Sequence, residues 1–309
     1  MANTNIQEIK NGPLRWINIT HISEIEIKYL EENFHFHPLH LKDCLSLSQR
    51  PRIEKERDYI FIALLFPVYK RKERKIISAE VDFFIGNDFL ITVHRNELAP
   101  LINFFNLCQV SQSQRAKYLK GSPVNVLYTI LKILLDSCLP ILDTLNKNIS
   151  NIEDQIFKGY ERRMVKEILL TKRSIICFSQ TMQIHRLVMK RLIRISDEFF
   201  SLGHLKLYFK ELLESSEEIW AALENLSKNI STIEQTNNSL ISFRLNDIIK
   251  ILTIISVTIL PVTLTASILS MNVPGSPLRS NPHAFPIIIS IMALIFLLTL
   301  SIFKSKRWL

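Results

Sequence analysis

Charged residues occur along most of the chain but are missing from two apolar runs near its C-terminus. The runs cover residues 251–271 and 285–303. A helix rises about 1.5 Å per residue, so runs of about 20 residues are long enough to cross the hydrocarbon core of a bilayer. The pattern predicts transmembrane helices over 251–271 and 285–303, joined by an external loop over 272–284.

Short apolar runs rich in aromatic and β-branched residues alternate with helical patterns in the first 120 residues, and the two kinds of element together predict a small α/β domain over 1–120. The predicted strands are 15–19, 59–69, 79–86 and 89–94, with a tight hairpin at 86–88. The predicted helices are 23–33, 38–47 and 97–108.

Helix-breaking residues become rare after Ser122, and the segment 121–202 is predicted as an antiparallel pair of helices. The helices cover about 123–157 and about 161–199, and they join near 158–160. A stalk helix is predicted over 203–250. Because no Pro or Gly interrupts the chain between Gly203 and Pro261, it is expected to continue into the first span as one helix of about 65 residues, roughly 100 Å long.

An aliphatic residue recurs every seven positions along this helix, which marks an apolar seam. Its members are Leu205, Leu212, Ile219, Leu226, Ile233 and Leu240. Two interpretations stay open: a stripe facing the core of one chain, or a contact between subunits.

The net charge of +9 raises the question of a nucleic-acid partner. The basic clusters 70–75, 185–194 and 304–307 are separate segments, and the last one borders a predicted span. Solvated faces and anionic lipid headgroups explain them more simply than nucleic acid does. Four scattered cysteines without a C-x-x-C pair fit a reducing compartment.

Orientation follows from the cations that flank the spans. Arg244 and Lys250 precede the first span, and a basic tail over 304–309 with Lys304, Lys306 and Arg307 follows the second. The first residues show no apolar secretory core. Both termini are therefore expected in the cytoplasm of a multi-pass protein of the inner or plasma membrane.

The stretch HFHPLH brings together His35, His37 and His40 and resembles a metal cluster at first sight. Only Asp43 lies nearby as a further ligand, and Pro38 indicates a helix start. The structural interpretation is favoured over a metal site.

Hydroxyl side chains distinguish the first span from the second. They are Thr253, Ser256, Thr258, Thr263, Thr265 and Ser267. Hydroxyls in a span bond back to the helix or line a wet cavity, and Pro261 should bend the helix. This difference favours an inner pore helix and an outer lipid-facing one.

The first span and its exit, NDIIKILTIISVTILPVTLTASILSMNV, resemble the pore helix of the CorA-type magnesium transporter family, which ends in Gly-Met-Asn. The terminal KSKRWL is similar to that family's basic tail. The stretches RPRIEKERDYIFIALL and VDFFIGNDFLITVHR resemble blocks of its cytoplasmic domain. The resemblance covers essentially the whole chain.

The resemblance implies a fold and an assembly: an α+β cytoplasmic domain, a long stalk helix and a two-helix transmembrane hairpin, assembled as a homopentameric funnel. It implies an entrance formed by Asn272, Met271 and Ser270. The implied pore lining is Asn246, Leu252, Ser256, Leu260 and Thr263, with Pro261 at the kink.

The implied function is a channel for Mg²⁺, with cobalt or nickel as further passengers, driven by the membrane potential without ATP. Cytosolic Mg²⁺ bound by carboxylates is expected to favour the closed state, and the candidates are Glu211, Glu214 and Glu218. Two alternatives are a zinc transporter of the related branch and a non-conducting, membrane-anchored ion sensor. No grouping of nucleophile and base points to an enzyme.

Ser270 stands where the family has glycine. If that position required a positive φ, serine would cost about 1 kcal/mol or more per subunit. The loop after Asn272 also lacks acidic residues, which weakens the steering of cations.

Overall fold

The computed structural model describes residues 5–46, 51–200, 203, 205–271 and 283–306. Two compact units divide the chain, Met1–Glu234 and Gln235–Leu309. The strands are β1 (Ile6–Asn11), β2 (Leu14–Ile19), β3 (Arg52–Lys55), β4 (Ile60–Lys70), β5 (Lys75–Ile85) and β6 (Phe89–His94). The helices are α1 (Glu24–Phe34), α2 (Pro38–Leu45), α3 (Ala99–Val110), α4 (Gln112–Tyr118), α5 (Pro123–Asp136), α6 (Leu139–Phe157), α7 (Glu161–Gln183), α8 (His185–Phe200), α9 (Leu205–Ser270) and α10 (Ala284–Ser305).

The first unit is built on one sheet with the strand order β1-β2-β6-β5-β4-β3. Only β2 and β6 pair in parallel among these neighbours. One face carries an aromatic core in which Phe36 stacks on Phe84. On another part of the core, Trp16 packs against Phe105 of α3. Burial of such side chains is the main force that holds the sheet and its helices together.

All four strands predicted from apolar patterning are present, and the tight hairpin between β5 and β6 is confirmed by the hydrogen bond from Gly86 N to Phe89 O. Strands β1 and β3 were not predicted. Both are short edge strands with charged residues, which edges tolerate because only one side is paired.

The helical segment after Ser122 differs from the predicted pair, because each of the two long helices is divided. The first is interrupted between α5 and α6 at residues 137–138, where Pro140 in the first turn of α6 cannot donate a backbone hydrogen bond. The second is interrupted at Ile184, between α7 and α8. The predicted turn at 158–160 is confirmed, with Gly159 at φ 93°.

Helix α9 is continuous over 66 residues, as predicted. The seam is buried within the first unit at Leu212, Ile219, Leu226 and Ile233. Phe209, three residues before Leu212, is also buried, and its ring lies 6.1 Å from that of Tyr128 on α5, centroid to centroid. The apolar stripe in this unit therefore faces the core of the same chain.

The second unit contains the last part of α9 and helix α10. None of the α10 residues is buried. Three described segments are long and apolar enough to span a membrane: 123–157, α9 and α10. The first has 44% of its apolar window buried within the chain, whereas the values for α9 and α10 are 11% and 0%. Segment 123–157 is a core element, which leaves α9 and α10 as the membrane candidates.

Candidate functional site

The exposed face of the last part of α9 carries most of the pore residues predicted from the sequence. At about 100° per residue, positions 252, 256, 260, 263, 267 and 270 fall within an arc of about 80°. All six side chains are exposed in the single chain. Leu252 and Leu260 leave 62% and 66% of their surface uncovered. This face, called the open stripe below, comprises Leu252, Ser256, Leu260, Thr263, Ser267 and Ser270.

The opposite side of α9 is covered. Thr258 is buried, and the positions that share its side are half-buried, namely Ile254, Pro261, Val262, Thr265 and Leu269. The middle of this covered side lies roughly 180° from the middle of the open stripe. The helix therefore has a packed side and an unpacked side within one chain.

Asn246 is also exposed, one turn or more before the first span. On the same helical projection it lies about 40° beyond the edge of the open stripe. Of the predicted pore-lining and kink positions, the structure therefore brings Leu252, Ser256, Leu260 and Thr263 onto one face. It sets Asn246 at the margin of that face and Pro261 on the covered side.

The threonine hydroxyls of this helix bond to their own backbone. Thr253, Thr258 and Thr263 donate to carbonyls four residues earlier, over 2.8, 2.7 and 3.0 Å. Ser290 on α10 does the same, over 2.8 Å. Back-bonding alone therefore does not separate the two spans. It does orient Thr263, because its proton is used and its oxygen lone pairs stay available as acceptors.

Pro261 lies inside α9, as predicted. Its ring nitrogen has no hydrogen, so the carbonyl of Val257 receives no bond from it. The carbonyl of Pro261 itself accepts from the Thr265 hydroxyl at 2.8 Å. Val257 is 46% exposed in the single chain.

The predicted entrance is only partly within the described residues. Asn272 lies outside them, as does Arg307 of the basic tail. Ser270 is the last residue of α9 and is not among the described residues with positive φ, so serine here carries no left-handed strain. Met271 follows with 59% of its surface exposed. Lys304 and Lys306 are exposed at the end of α10.

The three candidate regulatory carboxylates lie on one face of α9 in the first unit, at i, i+3 and i+7. Glu214 and Glu218 are exposed. Glu211 forms an ion pair with Lys132 and accepts a hydrogen bond from Tyr128 over 3.0 Å. The bond from Lys132 lowers the pKa of Glu211. Among the described residues, no group of three or more His, Cys, Asp or Glu side chains is placed to hold a metal ion.

The histidine stretch has the structural roles that were favoured. His37 caps α2, since its Nδ1 accepts from Leu39 N at 3.2 Å. His40 is buried between the Tyr59 hydroxyl, 2.9 Å from its Nδ1, and a Glu54 carboxylate oxygen, 3.0 Å from its Nε2. His35 ends α1 with φ 55°.

Two buried ionisable groups, one in strand β5 and one at the start of α8, were missed by sequence reasoning. Burial raises the pKa of Asp82 to about 7, and its Oδ1 has no hydrogen-bond partner in the described part of the chain. Burial lowers the pKa of His185 to about 4, and its Nε2 lies 2.6 Å from the Leu65 carbonyl. The available signal for Asp82 was a single acid within the apolar strand VDFFI.

The open stripe lies on a hydroxyl-bearing helix with an internal proline, and these features can be compared with those of known proteins. The sequence model of the family described as CorA-like Mg²⁺ transporter protein matches residues 11–307. The chain belongs to this CorA family. The match includes both apolar helices, so the CorA assignment concerns the membrane part as well as the sheet domain.

Relatives support the same assignment over nearly the full length. The chain is 25% identical over 299 residues to the cobalt/magnesium transport protein CorA of Thermotoga maritima, covering 95% of this chain and 83% of the relative. It is 24% identical over 304 residues to the protein of the same description from Methanocaldococcus jannaschii, covering 96% and 92%.

The fold is similar to a solved full-length structure, the complete CorA magnesium transporter of Methanocaldococcus jannaschii. The TM-score is 0.85 at 21% identity, and the similarity covers 97% of this chain and 93% of that one. This confirms the predicted class, an α+β domain followed by a long helix and a C-terminal helix. CorA proteins are membrane transporters and not enzymes, and Mg²⁺ is the substrate of the family.

Proposed function

We propose that this chain forms a channel for divalent metal cations, with Mg²⁺ as the main ion and Co²⁺ or Ni²⁺ as further passengers. The observation that carries the proposal is the open stripe of α9, which presents two leucines and four hydroxyl side chains opposite a covered side. A helix that packs on one side and exposes such a stripe on the other is suited to surround water.

The proposed assembly is a homopentamer in which five copies of α9 place their open stripes toward one axis. A single chain leaves this surface uncovered, as the exposure of Leu252 and Leu260 shows. Five copies would convert one stripe into stacked rings: apolar at 252 and 260, and hydroxyl at 256, 263 and 267. Helix α10, which is mainly apolar and has no buried residue, would face lipid.

Asn272 is proposed to form an amide ring at the external mouth, next to Met271 and Ser270. Mg²⁺ gives up its water reluctantly, so an amide oxygen that accepts hydrogen bonds from the ion's waters holds it without dehydration. The helical conformation of Ser270 supports this placement, since the Ser-Met-Asn variant needs no strained residue before the amide.

The membrane potential is sufficient to drive uptake. An inside-negative potential of 100 mV is worth about 2.3 kcal/mol per charge, and so about 4.6 kcal/mol for a divalent ion. The sequence contains no G-x-x-x-x-G-K-[ST] phosphate loop, in keeping with transport that needs no ATP.

Closure is proposed at the rings of Leu252 and Leu260. An apolar constriction expels the water inside the pore at that level, and a dry constriction excludes a hydrated ion without a bulky plug. The Thr263 ring lies one turn beyond Leu260, and its outward acceptor oxygens would steady waters on the external side of the gate.

Cytosolic Mg²⁺ is proposed to regulate the gate through Glu211, Glu214 and Glu218. These carboxylates line one face of α9, but among the described residues of one chain they do not form a group of three that could hold a metal ion. A neighbouring subunit would have to complete the site. Lys132 already neutralises Glu211, so binding at this position would displace its ammonium group.

The orientation is proposed from the charges that flank the spans. Lys304 and Lys306 are exposed after α10, and Arg244 and Lys250 come before the first span. Positive residues accumulate on the cytoplasmic side, so both termini are placed in the cytoplasm and the loop over 272–284 outside.

Growth of a magnesium-requiring strain without its own uptake systems tests the proposal. The wild type should restore growth at low Mg²⁺, and Asn272→Ala should not, at equal membrane expression. Asn281→Ala, which removes another amide from the same loop, is the matched control and should restore growth. Failure of all three to restore growth despite membrane expression would contradict Mg²⁺ transport. In that case, cells that take up no Zn²⁺ either would favour a non-conducting ion sensor, and cells that do take up Zn²⁺ would favour a zinc transporter.

A further inference from the structure

The turn between α6 and α7 presents aromatic and basic side chains together at the surface of the first unit. Phe157 is 70% exposed and Tyr160 is 44% exposed. Lys158, Arg162 and Arg163 are exposed beside them. These five residues are called the turn patch. Isolated exposed apolar side chains are common, but two neighbouring aromatic rings among three cations are a specific combination.

The cations of the turn patch are not neutralised by ion pairs within the described part of the chain. In the residues that the structure describes, Lys158, Arg162 and Arg163 form no ion pair, and Arg163 lies 5.4 Å from the centroid of the Tyr160 ring. Glu161 is buried. The exposed acids nearest in sequence, Glu153 and Asp154, lie further back on α6, about 5 to 8 Å from the turn along the helix axis.

Ion pairs within the first unit fix the direction in which the turn points. Lys190 of α8 pairs with Glu217 of α9 at 3.5 Å, and Lys172 of α7 pairs with Glu234 at 2.5 Å. The lower-numbered lysine pairs with the higher-numbered glutamate, so α7 and α8 run antiparallel to α9. The turn lies a further 12 residues beyond Lys172, about 18 Å. Within the first unit, the turn therefore lies at the end where that unit's stretch of α9 stops, at Glu234.

We propose that the turn patch binds the anionic headgroups of the bilayer that the same chain spans. Aromatic rings with one polar end and long cationic side chains are the residues that settle at a headgroup layer. Each Lys or Arg gains attraction from an anionic leaflet that falls off within a Debye length. Because α9 and α10 keep the chain in the membrane, the lipid surface is present at high effective concentration.

Hydrogen exchange on the full-length protein tests this contact without measuring transport. The protein is placed in nanodiscs of phosphatidylcholine alone and of phosphatidylcholine mixed with phosphatidylglycerol, and exchange is followed for backbone amides of residues 155–164. We expect these amides to exchange at least tenfold more slowly with phosphatidylglycerol present, and the difference to shrink in high salt.

Two variants separate a lipid contact from other causes. Lys158→Glu with Arg162→Glu should remove the difference between the two lipids. Arg71→Glu with Lys72→Glu, which reverses two exposed cations in the β4–β5 turn, should leave it unchanged. Protection that is equal in both lipids would indicate a contact with a second copy and would overturn the proposal, as would the absence of protection in either.

Discussion

Asp82 places a carboxyl group in the apolar centre of β5, and its ionisation is costly. Burial raises its pKa to about 7 from its ordinary value of 3.8, although the Cys44 thiol and the charges of Arg52 and Arg95 partly offset the shift. A raised carboxyl pKa means that the folded state holds its proton more tightly. The contribution of Asp82 to stability is therefore complete below pH 3.8 and is lost as pH rises to 7.

Asp82→Asn should remove this pH dependence. A shift of about three units corresponds to about 4 kcal/mol, so the variant should gain about that much relative to wild type between pH 4 and pH 8. His94 and His185, whose pKa values burial lowers to about 4, act in the opposite sense but equally in both proteins. Thermal melts of the full-length protein over this pH range measure the difference.

Asp58→Asn, which changes an exposed carboxyl in the loop before β4, is the control and should follow wild type at every pH. A variant at Asp82 that keeps a constant offset from wild type between pH 4 and pH 8 would show that this carboxyl is not protonated in the folded state.

Individual residues were predictable from the sequence where a local rule applies. Pro38 indicated the start of α2, and the histidines around it proved to be caps and core residues, because capping depends only on neighbouring atoms. Asp82 and His185 were not predictable in this way. Their pKa values arise from burial by segments distant in sequence, which no local pattern contains.

The hairpin of β5 and β6 depends on Gly86 for a packing reason. A Cβ added at this position would lie 2.6 Å from Cζ of Phe89, whose ring packs on Phe34 with 4.9 Å between centroids. The Phe34 ring in turn stacks on Phe36. The glycine therefore leaves room for the ring that closes one end of the aromatic core.

Gly86→Ala should destabilise the first unit by about 1 to 3 kcal/mol, because an overpacked ring must shift. A lowering of the melting temperature by several degrees would report it. Asn87→Ala, one residue along in the same exposed turn, should change the melting temperature little. Equal melting temperatures for both variants would show that the Phe89 ring has room to move.

The gate proposed in α9 can be tested at one ring. Leu260→Ser should raise the resting Mg²⁺ flux several-fold, because a hydroxyl ring keeps water that a leucine ring expels. Ile268→Ser is the matched control: Ile268 is 57% exposed but lies about 80° beyond the open stripe. Flux measured in proteoliposomes without an imposed potential should rise for the first variant only. A rise for both would place the constriction elsewhere.

Helices and strands were predicted correctly where the pattern of apolar residues was long and regular. Helix α9 was predicted nearly to its ends because the seven-residue seam and the lack of breakers extend over many turns. Strands β1 and β3 were missed, since short charged edge strands lack alternation. The breaks after Asp136 and Gln183 were also missed, and whether the seam faced core or subunit became clear only from burial in three dimensions.

The whole molecule has a sheet domain with its own core and a membrane part that leaves the open stripe of α9 exposed in the single chain. The sheet domain buries its core within one chain. The open stripe of α9 is different, because in the proposed pore its residues would acquire a common role only when several copies meet. The number of copies came from family resemblance alone, since no pattern within one chain encodes it.

Voltage-driven Mg²⁺ uptake into proteoliposomes is the most direct measurement of the central claim. The full-length protein is reconstituted around a Mg²⁺-sensitive dye, and a potassium diffusion potential makes the interior negative. The wild type and Asn281→Ala should admit Mg²⁺ at a rate that rises with the potential, and Asn272→Ala should lower that rate at least tenfold. Uptake unaffected by Asn272→Ala, or no uptake by the wild type at any potential, would contradict a pore lined by α9 with residue 272 at its mouth.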